Sequence, residues 1–340
     1  MTLTKNLLRD EALVDSIIRS CESGSCIPES LTQELNADDV RRFLQFSREQ
    51  GLNTARANFP KDKADFVEAI ILSSGRPAIL IQNNTFASSS DEWGTRLEAA
   101  RANLEKVIPA VGRIEMSNHP GGSVYKGCGW LVATDIIVTN SHVAKEFSIK
   151  DDGTGKFTFR KNVASFKTIT ARVDFREEYQ IDKEAQFEVL EILYFDEKEN
   201  PDIAFLRVST NTIDRGVTVS LKTQPIPLSS TTITGGEQVA VIGYPSYDSE
   251  RNPLQPKEMD KIFGDIYDVK RLQPGEILSA RSDMLTHDCS TLGGNSGSVL
   301  VRLDTGEAIG LHYGGEFMKE NWAISSQTIQ GVLSRLGLSV

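Results

Sequence analysis

An octapeptide late in the chain has the residue types of a nucleophile with an oxyanion hole. Residues 291–298 read Thr-Leu-Gly-Gly-Asn-Ser-Gly-Ser and precede the apolar run 299–301. Glycines on both sides of Ser296 allow a tight turn and a close approach by another molecule. A serine at the apex of such a turn is exposed beside free backbone N–H groups, which covalent catalysis by a hydroxyl requires. The same composition is also typical of an ordinary loop between strands, so catalysis requires a base and an orienting acid elsewhere.

One of the four histidines has the surroundings of a general base. His142 follows the apolar run 136–138 and precedes a valine and an alanine. The end of a strand is a rigid position from which an imidazole can be aimed at a substrate. A surface-loop histidine fits these apolar neighbours poorly, so His142 is the candidate base. His119 and His287 are interpreted as non-catalytic, although His287 is close enough in sequence to the octapeptide to line a pocket.

A carboxylate stands in front of another apolar strand and is the candidate orienting acid. Asp202 precedes the run 203–206, so we expect its side chain to point toward the interior. A buried carboxylate is costly unless it is paired. The N–H of a histidine relieves this cost, and the contact fixes the histidine tautomer. The alternative is an aspartate that caps a turn at the start of the strand.

Helices are predicted for residues 1–75. A start signal lies at Asn36, with Asp39 three residues later in a capping arrangement, and Gly51 ends that helix. The spacing of apolar residues predicts a bundle of about four or five helices. The segment contains no histidine and no glycine-rich loop, so it carries no visible chemistry.

A connecting segment and a β-rich region follow. Residues 76–108 combine a short strand with an amphipathic helix, and the change of domain is placed there. From Gly112 onward, roughly ten or more β-branched runs are separated by turn residues, which predicts an all-β barrel or sandwich. Residues 245–275 contain few alternating apolar residues and several prolines, so a long surface excursion is predicted for them. A last helix is predicted around Ile329.

Composition excludes several classes of protein. A length of 340 residues predicts two domains, or one large domain with an appendage. The net charge of -10 argues against nucleic acid or an anionic membrane as the main partner. No apolar run approaches the roughly 20 residues needed to cross a bilayer. Charged residues spread through 1–20 interrupt any signal-peptide core. The four cysteines lack CxxC spacing and are too few for a disulfide framework, which favours a reducing cytoplasm. No ligand cluster predicts a metal, and no cofactor is expected.

Four segments together resemble the trypsin-like serine proteases, and their glutamyl-endopeptidase branch in particular. They are 127–132, 139–142, 200–204 and 293–298. The order His142, Asp202, Ser296 is that of chymotrypsin-type enzymes. The resemblance covers about residues 110–340. It implies a mainly β fold, a chymotrypsin-like double β-barrel with the active site between the barrels, here preceded by the small all-α bundle and followed by the last helix.

The resemblance also implies a role for each matching residue. Ser296 corresponds to the nucleophile, His142 to the base and Asp202 to the orienting acid. The backbone N–H groups of Gly294 and Ser296 correspond to the oxyanion hole. No metal or cofactor belongs to this set.

A specificity pocket is implied by the segment Gly310–Gly315, which is similar to the pocket-wall strand of the family. Thr291, His312 and Gly314 are the implied substrate-binding residues. In glutamyl endopeptidases a histidine and a threonine at these positions receive a substrate carboxylate, which implies a preference for Glu or Asp before the cut. The alternative is that His312 is a buried wall residue tied to internal polar groups.

The sequence departs from the family pattern at three points. Asn295 replaces the aspartate that pairs with a freed N-terminal amine in pancreatic-type zymogens, so activation by that route is not expected. A helical domain precedes the barrels, whereas secreted glutamyl endopeptidases complete the pocket with their own N-terminus. Val143 stands where vertebrate relatives carry a disulfide cysteine, which agrees with a cytoplasmic location.

These observations predict three segments: a helical adaptor-like domain (1–75), a connecting strand and helix (76–108), and a protease domain (109–340). Small helical domains in front of trypsin-like domains resemble death-like or effector-associated adaptor modules. The alternative is that residues 1–75 are a stabilising or autoinhibitory extension. The predicted function is a serine endopeptidase that acts on proteins or peptides and is recruited or regulated through residues 1–75 by a partner protein. The alternative is a catalytically silent, peptide-binding scaffold of a signalling or defence complex.

Overall fold

The computed structural model describes residues 7–23, 36–60, 63–64, 67, 70–71, 74–87, 91–122, 124–183, 185–214, 216–247, 262–316 and 320–338. The first part is helical, with α1 at Glu11–Glu22, α2 at Ala37–Gln50 and α3 at Leu52–Asn58. The described residues between 63 and 75 are also helical. We call these helical residues, 7–75, the helical bundle.

The predicted start and end of α2 are confirmed. The Asn36 side chain accepts a hydrogen bond from the Asp39 N–H, and the Asp39 carboxylate accepts one from the Asn36 N–H. These two contacts satisfy N–H groups that have no partner inside the helix. Gly51 ends the helix at φ 86°, a conformation that glycine adopts without steric cost.

The connecting segment adds a hairpin and a long helix. It comprises β1 at Ile79–Gln82, β2 at Thr85–Phe86, α4 at Asp91–Val107 and a 3₁₀ turn at Ile108–Ala110. The predicted strand and helix are therefore present. Trp93, Leu97 and Leu104 of α4 are fully buried and belong to the main hydrophobic core.

The first β-barrel is closed by six antiparallel strands. The elements of this region are β3 Val111–Ser117, β4 Val124–Ala133, β5 Ile136–Thr139, α5 Ser141–Ala144, β6 Ser148–Lys150, β7 Phe157–Phe159, β8 Thr170–Asp174, β9 Gln186–Phe195 and β10 Ala204–Val208. The barrel closes in the order β10-β5-β4-β3-β8-β9, and β6 and β7 form a separate hairpin. Closure leaves no unpaired strand edge in the barrel.

The second barrel is also closed by six strands. Its region contains β11 Asn211–Asp214, β12 Val217–Ser220, β13 Gln238–Gly243, β14 Arg271–Ala280, β15 Met284–His287, β16 Val299–Arg302, β17 Ala308–Glu316, β18 Glu320–Ser325 and α6 Ser326–Leu336. The order β13-β16-β17-β18-β15-β14 closes through the pairing of β13 with β14. The predicted mainly β double barrel, with helices at its amino-terminal side and a helix at its carboxy-terminal side, is confirmed.

The surface excursion predicted for 245–275 is wrong in its last part, and residues 248–261 lie outside the described residues. Strand β14 begins at Arg271 and is paired on both sides, with β13 and with β1. Its first residue is charged, yet Arg271 is only 2% exposed, and its guanidinium donates to three backbone carbonyls, those of Ala78, Phe263 and Ile266. A polar strand of this kind has no alternating apolar pattern to detect.

The helical bundle has a core of its own that continues into the protease region. Bundle residues such as Val40, Phe43 and Ile71 are fully buried. The same cluster includes Leu292 of the octapeptide, together with Ile262 and Phe263. Burial of apolar side chains stabilises the fold by about 25 cal/mol per Å². The bundle is therefore packed against the octapeptide rather than separated from it.

Candidate active site

Strand pairing in the first barrel places His142 beside Asp202. His142 lies in α5, directly after β5, and Asp202 lies directly before β10. These strands pair antiparallel, with Ala204 opposite Thr139, so the end of one meets the start of the other. The Asn140 side chain donates to the Asp202 carbonyl at 2.9 Å, which fixes the two segments against each other.

The Asp202 carboxylate holds His142 at two points. One oxygen accepts the His142 backbone N–H at 3.0 Å, and the other lies 2.6 Å from Nδ1 of the ring. The carboxylate is 11% exposed, whereas the His142 side chain is 35% exposed. The carboxylate is thus largely withdrawn from water while the imidazole keeps an open side. Such contacts fix both the orientation and the tautomer of the ring.

Ser296 comes from the second barrel, and its loop lies against the first. The Ser296 carbonyl accepts the Cys128 N–H of β4 at 2.7 Å. Gly294 and Gly297 have φ values of 88° and 85°. A Cβ at Gly294 would overlap the Tyr125 hydroxyl, and one at Gly297 would overlap the Cys128 carbonyl. Both glycines are therefore required by the backbone conformation and by close approach.

The N–H groups predicted to form an oxyanion hole are free of protein partners. In the part of the chain that the structure describes, neither Gly294 nor Ser296 donates its N–H to a protein acceptor. The neighbouring N–H groups are used: Asn295 donates to the Leu292 carbonyl at 3.2 Å and Gly297 to the His312 carbonyl at 2.8 Å. Two free donors beside a half-buried serine are the arrangement that stabilises a developing oxyanion.

The candidate pocket contains a buried pair of histidines. His312 Nδ1 lies 3.2 Å from His287 Nε2, and the two side chains are 2% and 0% exposed. Burial, with a smaller contribution from nearby His142, lowers the pKa of His312 to about 3. Burial and the neighbouring His312 likewise lower the pKa of His287. Both rings are therefore neutral at neutral pH.

The other two predicted pocket residues lie near strand β18. The Thr291 hydroxyl donates to Oδ1 of Asn321 at 2.6 Å, and Nδ2 of Asn321 donates to the Cys289 carbonyl at 2.7 Å. Gly314 is paired with Trp322 beyond a register shift in β17. The sequence offered no signal for Asn321, because its role depends on the pairing of distant strands.

One group of acidic residues in the described part of the chain has the spacing of metal ligands. Oxygen atoms of Glu115, Asp174 and Glu177 lie within 4.8 Å of one another. The Arg113 guanidinium already pairs with Glu115 and lies 3.2 Å from Glu177. Because a fixed cation already pairs with two of these three carboxylates, the group gives no reason to assign a metal.

The state of the cysteines and the search for membrane-spanning helices bear on the cellular compartment of the protein. Cys128 and Cys289 are free and buried, and burial raises the pKa of Cys128 to about 11, so both behave as small apolar residues. Cys21 is disulfide-bonded, which weakens the argument from cysteine usage for a reducing compartment. No helix among the described residues is long and apolar enough to span a membrane. A cytoplasmic location stays a prediction.

Two closed barrels, one carrying a histidine–aspartate pair and the other a glycine-flanked serine, are the architecture of a chymotrypsin-fold serine peptidase. The family model described as trypsin-like peptidase domain matches residues 127–311. The chain belongs to this family and is a serine-type peptidase. The predicted resemblance to trypsin-like serine proteases and the predicted enzyme class are confirmed.

The chain is also similar to individual proteins. A probable serine protease of Lysobacter enzymogenes is 28% identical over 307 residues, covering 81% of this chain and 76% of that protein. A glutamyl endopeptidase of Staphylococcus epidermidis is 32% identical over 126 residues, covering 37% of this chain and 38% of that protein. The active form of the Rv3671c protease from M. tuberculosis is a similar solved structure, with 17% identity, coverage of 72% and 88%, and a TM-score of 0.43.

Proposed function

We propose that Ser296, His142 and Asp202 are the catalytic triad of an endopeptidase that hydrolyses peptide bonds through an acyl-enzyme. The observation that carries the proposal is the double contact of the Asp202 carboxylate with the His142 N–H and Nδ1. Because Asp202 accepts the proton on Nδ1, Nε2 is left unprotonated and can act as a base. Replacing Ser296 by alanine tests the assignment.

The proposed reaction has two halves. Oγ of Ser296 attacks the scissile carbonyl carbon while His142 Nε2 takes the hydroxyl proton, and the N–H groups of Gly294 and Ser296 bind the resulting oxyanion. His142 then passes this proton to the leaving amine, and the acyl-enzyme remains. A water molecule attacks the acyl carbon, His142 takes its proton and returns it to Ser296, and the carboxylic acid product leaves.

The proposed division of the chain follows the predicted segments. Residues 1–75 form the helical domain, 76–108 the connection and 109–340 the protease domain. The first boundary is supported by a hydrophobic cluster that is distinct from the main barrel core and consists mostly of bundle residues. β1 of the connecting segment pairs with β14, in the sheet of the second barrel.

The histidine pair supports a pocket for an acidic side chain. Within the described residues, Nδ1 of His287 is buried without a hydrogen-bond partner. Because unpaired buried N–H groups are rarer than unpaired acceptors, the proton of His287 is assigned to Nε2, from which it is donated to Nδ1 of His312. The remaining proton of His312 is then on Nε2. A neutral ring with this N–H is a hydrogen-bond donor that suits a carboxylate.

The hydroxyl of Thr291, in the same pocket, is already used in a hydrogen bond within the protein. Its hydroxyl already donates to Asn321, so it has to turn to bind a substrate carboxylate. A charged acceptor forms the stronger hydrogen bond and favours that rotation. The alternative, in which His312 is only a wall residue, is supported by its burial and its contact with His287.

Cleavage-site profiling of the full-length protein against a peptide library is expected to enrich Glu or Asp before the cut. Thr291→Val is expected to lower the preference for Glu over Gln about tenfold, since one hydrogen bond to a charged group is lost. His119→Gln is the matched control because His119 lies in a surface turn where its ring accepts the Gly121 N–H. A basic or apolar preference in the wild type would refute the acidic pocket.

The helical domain is proposed to recruit a partner protein that carries a similar module. Its described residues hold no histidine, and its apolar side chains are used in its own core, so the surface is what remains for function. Arg42 and Arg48 are exposed on α2. A charged helix surface is suited to a partner of opposite charge.

Full-length Ser296→Ala protein used as bait is expected to capture a protein with a similar helical module. Charge reversal by Arg42→Glu and Arg48→Glu is expected to abolish this capture, because two exposed cationic side chains of α2, of which Arg48 also pairs with Glu11, become anionic. Arg335→Glu on the exposed side of α6 is the control and leaves capture intact. Capture of no such protein, or capture that survives reversal on α2, contradicts recruitment through this helix.

A further inference from the structure

A buried arginine connects the helical bundle to the loop that precedes the nucleophile. Arg76 is 4% exposed, and its Nε and Nη2 each donate to the Asp288 carboxylate at 2.7 Å. Asp288 is 1% exposed and also accepts the Glu276 N–H at 2.7 Å. Paired donors in this fork geometry define the position of a carboxylate more closely than a single donor does.

The main chain of Arg76 is itself fixed by the bundle and by α4. The Gly75 carbonyl accepts the Trp93 indole N–H at 2.9 Å. A Cβ at Gly75 would lie 2.9 Å from Leu13 and 3.0 Å from Leu7, so the backbone here is pressed against the bundle core. Arg76 therefore projects from a rigid support.

Three residues of the loop 288–292 contact Arg76 or the core of the helical bundle. Asp288 is held by the Arg76 side chain, and the Ser290 hydroxyl donates to the Arg76 carbonyl at 2.7 Å. Leu292 is 7% exposed and packs in the bundle core. Thr291 is held by the second barrel, through Asn321. Two residues beyond this loop stands Gly294, whose N–H belongs to the proposed oxyanion hole.

We propose that Arg76 is a positioning residue for the peptidase site, which it sets by anchoring the loop 288–292 to the helical bundle. The proposal rests on the proposed function of Ser296. In this arrangement the bundle acts in cis as part of the active enzyme: it fixes the loop on both sides of Thr291 and the backbone leading to Gly294. Displacement of the bundle would loosen both.

The charges around this pair agree with a permanent link. Burial acts to lower the pKa of Arg76, but the carboxylates of Asp288 and Glu276 outweigh it and raise the pKa above its ordinary value. The Arg76 guanidinium is therefore favoured in its charged form, the form that pairs with a carboxylate.

Two variants separate positioning from stability. Arg76→Met is expected to lower kcat/KM for a peptide substrate by about tenfold or more and to lower the Tm, because Asp288 is left buried and unpaired. Adding Asp288→Asn removes that uncompensated charge, so the Tm is expected to recover. The activity is expected to stay low, with a raised KM, because the anchor is still absent. Recovery of Tm and of kcat/KM together would overturn the proposal.

Two further variants distinguish a loss of loop position from a general loss of stability. Val40→Ala opens a cavity in the bundle core away from the loop and is expected to lower the Tm with kcat/KM within about twofold of wild type below the transition. Ser290→Ala deletes one hydroxyl and is expected to lower kcat/KM about two- to threefold even if the arginine variants do not fold. Equal losses in Val40→Ala and Arg76→Met at equal Tm, or no loss in Ser290→Ala, contradict positioning.

The positioning role of Arg76 and the nucleophile role of Ser296 fail by different results. Wild-type protein that hydrolyses no peptide and is not labelled by a fluorophosphonate refutes the role of Ser296. Active wild-type protein with unaffected Arg76 variants refutes only the role of Arg76. Hydrogen exchange adds a second measure: amides of 288–296 are expected to exchange faster in Arg76→Met and unchanged in Val40→Ala.

Discussion

Replacing Ser296 with alanine is expected to lower kcat for peptide hydrolysis by roughly 10⁵-fold or more. Oγ of Ser296 is the only atom of this loop that forms a covalent bond to the substrate in the proposed reaction. The backbone N–H groups of Gly294 and Ser296 are kept in the variant, so a small residual rate over water is expected from the oxyanion hole. The Tm is expected to be nearly unchanged, because a half-buried hydroxyl is removed without opening a core cavity.

Steady-state hydrolysis of a fluorogenic peptide, with thermal unfolding measured in parallel, checks this expectation. Ser165→Ala is a suitable control, since Ser165 lies exposed in the turn between β7 and β8 of the first barrel. An unchanged rate in Ser296→Ala would show that another group is the nucleophile. A parallel loss in Ser165→Ala would show that the assay responds to something other than the active site.

The second large effect is expected for Asp202→Asn, with a loss of roughly 10⁴ in kcat. The reason lies in the two contacts of the carboxylate. The His142 backbone N–H can only donate, so the amide oxygen of the asparagine must face it. The amide NH₂ then faces Nδ1, which has to be an acceptor. The ring proton moves to Nε2, and the base is lost although the geometry is kept.

Kinetics at neutral pH, together with the Tm, distinguish this tautomer effect from damage to the fold. Asp135→Asn is the control because Asp135 makes a surface ion pair with Arg207 and is remote from the site. An Asp202→Asn enzyme that retains a rate within about tenfold of wild type would contradict the role of Asp202.

The residues of the proposed catalytic site are predictable from sequence because their signals are local. His142 and Asp202 each stand at the end of an apolar strand, and antiparallel pairing of β5 with β10 brings such ends together. Ser296 is marked by glycines that the backbone conformation requires. Apolar β-branched runs predict most barrel strands for the same reason, since their pattern reflects burial within one segment.

The parts that sequence does not predict depend on contacts between distant segments. The first part of strand β14 was missed because Arg271, and Lys270 just before it, are buried as charges, and Lys270 donates to the Ile108 and Phe175 carbonyls. The link between Arg76 and Asp288 joins residues that are 212 positions apart. Nothing in either local sequence marks it, because a buried ion pair leaves no periodic pattern.

The central claim is that Ser296 is an activated nucleophile in the intact chain. The most direct measurement is mass spectrometry of the full-length wild-type protein after reaction with a fluorophosphonate, with the adduct mapped to a residue. One adduct is expected, on Ser296, and both Ser296→Ala and Asp202→Asn are expected to abolish it. Folded protein that gives no adduct while it binds peptide would contradict the role of Ser296 and favour a silent scaffold. An adduct on another serine would show that a different residue is the nucleophile.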